Sequence, residues 1–155
     1  MENNQFFRTV RVFIASPFFN EEQLERIGRL ENALRKNPYV ADFFSARFYQ
    51  FPQLTFASDP WRKTVFQNDL RYLRRADVVV AIHDYEENSV DSGTAFELGY
   101  AYALQKPIIL IKEKETSIPN LMLVESLHAY LTKADEIAGY DFINMPKIPY
   151  KGPLI

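Results

Sequence analysis

The chain has 155 residues, 47% hydrophobic and 25% charged, with a net charge of −2, which sets the expectation of one folded domain over 1–155 and excludes extensive disorder. It contains no cysteine, so disulfides, thiolate nucleophiles and cysteine-ligated zinc are ruled out, and His83 and His128 alone make a poor metal site. "MENNQFFRTV" lacks the basic region and apolar run of an export signal, and no apolar stretch nears the roughly 20 residues of a membrane span; a cytoplasmic protein with no membrane partner is expected.

In chain order, "VRVFIAS" (Val10 to Ser16) is β-branched and breaks at Pro17, as a buried strand entering a loop does. "NEEQLERIGRLENALRKN" then places Leu24, Ile27, Leu30 and Leu34 on one helical face, with Asn20 set to cap it. "DFFSARFYQF" is predicted as a second strand. Ser58 or Asp59 caps the next helix, with Pro60 in its first turn, and that helix runs to about Arg75. Its late "RYLRR" complements the helix dipole and faces solvent, so it gives no reason to expect nucleic-acid binding. "ADVVVAIHD" is apolar on both faces, as a central strand is. A helix over "DSGTAFELGYAYAL", a strand at "KPIILIK", a short helix at "NLMLVESL" and a strand at "AYLT" follow. This alternation predicts an α/β fold: a flavodoxin-like (Rossmann-like), doubly wound, mainly parallel five-stranded sheet. Ligands in such sheets bind beyond the carboxyl ends of the strands, which singles out the loops 16–20, 84–94 and 112–120.

Carboxylates stand where apolar residues are expected. On the helix ending near Arg75, Val65, Phe66, Leu70, Tyr72, Leu73 and Ala76 share one arc, and Asp69 lies in its middle. Either it is a structural aspartate satisfied by loop backbone, or it is a desolvated functional group. In "DSGTAFELGYAYAL" the only charge from Ala95 to Leu104 is Glu97. A helix apolar all round predicts burial, and a first-turn glutamate would gain from the positive end of the helix. Glu97 is thus either an ordinary helix starter or a buried reactive group. Asp91 either caps the turn or joins Asp69 and Glu97 at one crevice, and Gly93 would let backbone approach a ligand. No G-x-S-x-G elbow or G-x-G-x-x-G loop accompanies them. Paired carboxylates suit substitution at an anomeric carbon, and the aromatic residues near Phe18 suit a flat leaving group.

"VFIASPFF", "QNDL", "ADVVVAI", "DSGTAFELGYA" and "PNLM", in that order, are together similar to the nucleoside 2-deoxyribosyltransferases. The resemblance implies transfer of 2-deoxyribose between nucleobases, with a deoxynucleoside donor, a nucleobase acceptor and no cofactor or metal. It implies that Glu97 is the nucleophile, that Asp69 exchanges a proton with the base, and that Asp91 binds the sugar's 5′-hydroxyl. Phe18 would pack on the base. Asn120 and Met122 would come from a neighbouring subunit of a homo-oligomer, a hexamer or another dimer-based assembly, and Gln50 is a further base contact on a looser match. Family members often carry a tyrosine where this chain has Phe13, so a hydrogen bond to Glu97 would be missing or supplied by Tyr100. Two alternatives stand beside this one. One is a deoxynucleoside 5′-monophosphate N-glycosidase, disfavoured because Asp91 would repel a phosphate; the other is a flavodoxin-like or receiver-like nucleotide-binding module using Asp84.

Overall fold

Burial on both faces decides where each strand goes. In the computed structural model β3 (Val78–Ile82) and β4 (Ile108–Ile111) are buried at every residue, and they are the chain's most continuous β-branched and aliphatic runs. β1 (Val10–Ala15) pairs with β3 on one side and with β2 (Val40–Ser45) on the other, while β5 (Ala129–Leu131) closes the far edge. The order is β2-β1-β3-β4-β5 and every pairing is parallel, so the mainly parallel sheet expected is wholly parallel. The structure describes residues 8–87 and 89–155. The stretch read as lacking an export signal falls largely on 1–7, and Asn88 of the 84–94 loop is also outside the described residues.

Strand alternation sends side chains to two cores. Val12, Ile14, Val80 and Ile109 meet α1 (Glu21–Lys36) and a 3₁₀ segment, Ala134–Gly139. Phe13, Ala15, Val79 and Leu110 meet α2 (Asp59–Arg75) and α3 (Ser92–Ala103), with Leu123 of α4 (Leu121–Glu125). Each fully buried aliphatic side chain contributes about 2 kcal/mol, so both helical layers are held firmly against the sheet.

Helix starts follow the capping residues. The Asn20 side chain accepts from Gln23 N at 2.9 Å, and Ser58 accepts from Trp61 N at 3.3 Å, in each case satisfying an N–H that the helix leaves orphaned. Ile27, Leu30 and Leu34 are buried as predicted, but Leu24 is 41% exposed because Gln23 and Arg26 occupy the inward positions of that turn. The second strand ends at Ser45 rather than running through "ARFYQF". There Ser45 Oγ and Arg47 Nε both donate to the buried Glu31 carboxylate at 2.7 Å, drawing the chain into a 3₁₀ turn at Ala46–Phe48.

The chain crosses from β2 back over β1 to β3, so the strand order reverses between β1 and β3. The crevice at their carboxyl ends is where this topology places a ligand, and the segment entering α3 rises directly beside it.

Candidate active site

α3 begins at Ser92, and its start is built by Asp91. Asp91 Oδ2 accepts from Thr94 N at 2.8 Å and from Thr94 Oγ1 at 3.1 Å. A Cβ at position 93 would stand 3.1 Å from that oxygen. Gly93 therefore makes room for the Asp91 carboxylate. Both contacts use Oδ2, which leaves the second oxygen of Asp91 for another hydroxyl.

Glu97 is the sixth residue of α3. The sequence reading put it in the first turn, where dipole and orphan N–H groups favour an ionised carboxylate; the structure overturns that, because Asp91 takes the helix start and Glu97 lies beyond the last orphan N–H. No cation pairs with it among the described residues. Burial pushes its pKa well above the usual carboxylate range, and the like charges of Asp69 and then Asp91 push it further. Asp69, from α2, is raised to about 6, by burial against a smaller opposing effect of the Asn68 amide, and its Oδ1 is buried with no hydrogen-bond partner. The structure thus brings Asp69 and Asp91 within electrostatic reach of Glu97.

The expected hydroxyl beside Glu97 is not Tyr100. That phenol oxygen accepts from Arg74 Nε at 2.6 Å on the solvent side, and Phe13 is fully buried and stacked on Phe44 with centroids 5.1 Å apart.

The other predicted residues lie elsewhere in the single chain. At about 100° per residue, Glu97 stands about 200° round α3 from Ala95. Ala95, Gly99 and Tyr102 instead face α4 across a groove of about 430 Å³, which Asn120 and Met122 also line. Asn120 caps α4 by accepting from Met122 N at 2.9 Å, and Met122 is 72% exposed. Nor is α3 buried all round, since Phe96 and Tyr102 are 52% and 61% exposed. Phe18 is half-buried in the loop after β1, its ring 5.3 Å from that of Phe19. Gln50 is exposed, its side-chain Nε2 donating to Ala46 O at 2.8 Å and its backbone carbonyl accepting from Trp61 Nε1 at 3.0 Å, so its amide nitrogen bonds within its own loop. A cavity of about 330 Å³ beside Arg11, Asp42 and Arg75 opens at the opposite end of β1 and holds none of these groups. Among the described residues no group of three or more His, Cys, Asp or Glu is placed to hold a metal.

The sequence reading missed Asn68, buried next to Asp69 in the quoted "QNDL". It lies about 40° beyond Tyr72, the near edge of the apolar arc, and a polar residue at such an edge reads as solvated unless a loop is known to cover it. Asp84 is buried, with its two oxygens accepting from Glu113 N and Lys114 N at 2.7 and 2.9 Å. Both oxygens are spent on holding the β4–α4 loop, which counts against a receiver-like phosphoacceptor.

A desolvated carboxylate pair with a capping aspartate at a parallel-sheet crevice is the arrangement expected for substitution at a sugar carbon, and comparison with known proteins agrees. The family model described as nucleoside 2-deoxyribosyltransferase matches residues 12–139. A nucleoside deoxyribosyltransferase of Limosilactobacillus fermentum is 31% identical over 92% of this chain and 90% of its own length. The solved 2-deoxyribosyltransferase of Bacillus psychrosaccharolyticus is 40% identical, covers 91% of this chain and 99% of its own, and superposes with a TM-score of 0.80. A Clostridium botulinum CMP N-glycosidase shares the fold at 23% identity and a TM-score of 0.51, over 83% of this chain and 94% of its own. With a family model spanning most of the sheet and relatives covering nearly the whole chain, this protein belongs to the nucleoside 2-deoxyribosyltransferase family.

Proposed function

We propose that this chain transfers 2-deoxyribose between nucleobases by a retaining double displacement through a deoxyribosyl–Glu97 ester. The observation that carries the reading is the convergence of Asp69 and Asp91 on Glu97: among the described residues no cation pairs with Glu97, and burial, then the like charges of Asp69 and Asp91, oppose its ionisation. Carboxyls raised in this way keep a proton at the site to higher pH than ordinary carboxylates do, and the chemistry needs one. Glu97, ionised, attacks C1′ as the bond to the base nitrogen breaks; the bond's electron pair stays on the base, which takes the proton from Asp69. In the second half an incoming base attacks C1′, gives its N–H proton to Asp69, and Glu97 leaves as carboxylate. Two inversions give retention.

Asp91, with one oxygen free, accepts a hydrogen bond from the sugar's 5′-hydroxyl. Phe18 packs on the base, and Gln50 reaches it only if its bond to Ala46 opens. Asn120 and Met122 face away from Glu97 across α3, so they serve a different copy. The partner subunit's Asn120 and Met122 close the sugar side of this site, in a homo-oligomer that is a hexamer or otherwise built from dimers. The exposed Phe66, Phe96, Tyr102, Leu121 and Met122 supply the apolar surface such an assembly buries. Closing the site in this way keeps water from the ester. Residues 1–155 act as one domain in the cytoplasm, consistent with the absence of a membrane-spanning helix among the described residues.

Incubation with thymidine and adenine tests the reading. Deoxyadenosine and free thymine are the expected products. Deoxyribose release without transfer would make the chain a hydrolase, and neither product would leave a binding module.

A further inference from the structure

Among the described residues the buried side-chain polar atoms without a partner are Arg26 Nη1, Asn68 Nδ2 and Asp69 Oδ1. Native structures keep few such atoms, and each calls for an explanation. Two of these are neighbours on α2, and one belongs to the carboxylate assigned to proton exchange.

The orientation of Asn68 is not free. Its Oδ1 accepts from Arg71 Nη2 at 2.8 Å, and a guanidinium only donates, so the amide oxygen is fixed toward Arg71 and the NH₂ points away from it. Asn68 is 7% exposed whereas Arg71 is exposed; the pair runs from solvent into the protein and stops beside Asp69. The amide lies near enough to pull the Asp69 pKa back part of the way that burial raises it. Yet neither Asn68 Nδ2 nor Asp69 Oδ1 is satisfied in the unliganded chain.

We propose that Asn68 is a positioning residue for Asp69. When a base occupies the crevice, Asn68 Nδ2 donates to one carboxylate oxygen, fixing the anion and leaving the other oxygen to give or take the base's proton. This rests on the proton-exchange role given to Asp69 above. Arg71 holds the amide in register, so an exposed cation reaches the chemistry through one buried amide.

The acceptor half-reaction isolates the effect. In the glycosyl-enzyme Glu97 is an ester without charge; Asp91, which like Asp69 acts on Glu97, is the acidic group left at the start of α3, and Arg71 on α2 reaches Asp69 through Asn68. The incoming base must find Asp69 ionised; its rate therefore falls as pH drops through the Asp69 pKa. Removing a donor to the anion raises that pKa.

The test is kcat/KM for adenine against pH, at saturating thymidine, for the unsubstituted chain, Asn68→Ala and Arg71→Ala, each with its melting temperature. Asn68→Ala is expected to move the acidic limb upward by about one pH unit, and Arg71→Ala to move it the same way by less. Because Arg71 is exposed, its replacement keeps the test open if Asn68→Ala does not fold. A limb that stays put in the folded variants, whatever happens to rate or melting temperature, reduces Asn68 to a structural role and overturns the proposal. An unsubstituted chain that makes no deoxyadenosine would instead contradict the transferase reading beneath it.

Discussion

The two sides of the sheet treat desolvated carboxylates in opposite ways. On the α1 side, Glu113 is met by Arg26 at 3.2 Å and Arg29 at 2.7 Å, and it accepts from Ala134 N at 3.0 Å; burial pushes its pKa up, but these partners outweigh it and hold it at about 2. Glu31 is likewise bonded to Ser45 and Arg47. On the α2–α3 side Asp69 and Glu97, half-buried and with no cation paired to them among the described residues, are raised instead. Desolvation is common to both sides; what differs is the counter-charge. A desolvated carboxylate with a counter-charge is held ionised, while one without it costs stability, and groups perturbed in that way cluster at functional sites.

That contrast is broken most severely at Glu97. Glu97→Gln is expected to lower base exchange by about a thousandfold or more, read from product formation, while raising the melting temperature at pH 8, because an ionised group in a hostile site is gone. Asp69→Asn should follow the same pattern with a loss of about a hundredfold or more. The pH dependence has a definite sign. Folded Asp69 keeps its proton from the ordinary 3.8 up to about 6, so its share of stability is full below about 3.8 and is lost as pH rises through about 6. Thermal melts of the unsubstituted chain and of Asp69→Asn should diverge over that interval and run parallel outside it.

The opposite pole of the comparison is Glu113→Gln. It leaves Arg26 and Arg29 without their shared carboxylate and should cost roughly 3 kcal/mol in denaturant unfolding, with exchange per folded molecule unchanged. Here the sign reverses: the Glu113 contribution is complete above its ordinary value of 4.5 and is lost as pH falls through about 2. Asp91→Asn stands between the poles, since asparagine caps α3 as well as aspartate does but accepts a sugar hydroxyl more weakly; the donor KM should rise about tenfold. The smallest effect belongs to Tyr100→Phe, which removes an exposed bond to Arg74. It should change stability by less than about 0.5 kcal/mol and leave the rate intact, whereas a large loss of rate would restore Tyr100 as a partner of Glu97.

Much of the fold was legible because the strands are apolar on both faces and the helices carry their caps: Val78–Ile82, Ile108–Ile111, Asn20 and Ser58 act as local chemistry dictates. The end of β2 was not legible, because it depends on Glu31, distant in sequence, drawing Ser45 and Arg47 aside. At the site, the spacing of Asp91 and Glu97 was visible, but the electrostatics of Glu97 were misjudged by placing it in the first turn. Which residue caps α3 fixes where Glu97 falls, and the cap was one of two open readings for Asp91. Asn68 was hidden for another reason: its burial depends on packing from outside its helix, which helical periodicity does not report. Asn120 and Met122 line a groove on the other side of α3 from Glu97, a placement that their short motif does not report.

The most direct test of the account is mass analysis of the protein quenched after reaction with thymidine and no acceptor base. The account predicts release of thymine and a mass gain of one deoxyribosyl group on the peptide carrying Glu97, lost again on addition of adenine as deoxyadenosine forms. Thymine release with no adduct on that peptide, or an adduct that persists undiminished in Glu97→Gln, would contradict it.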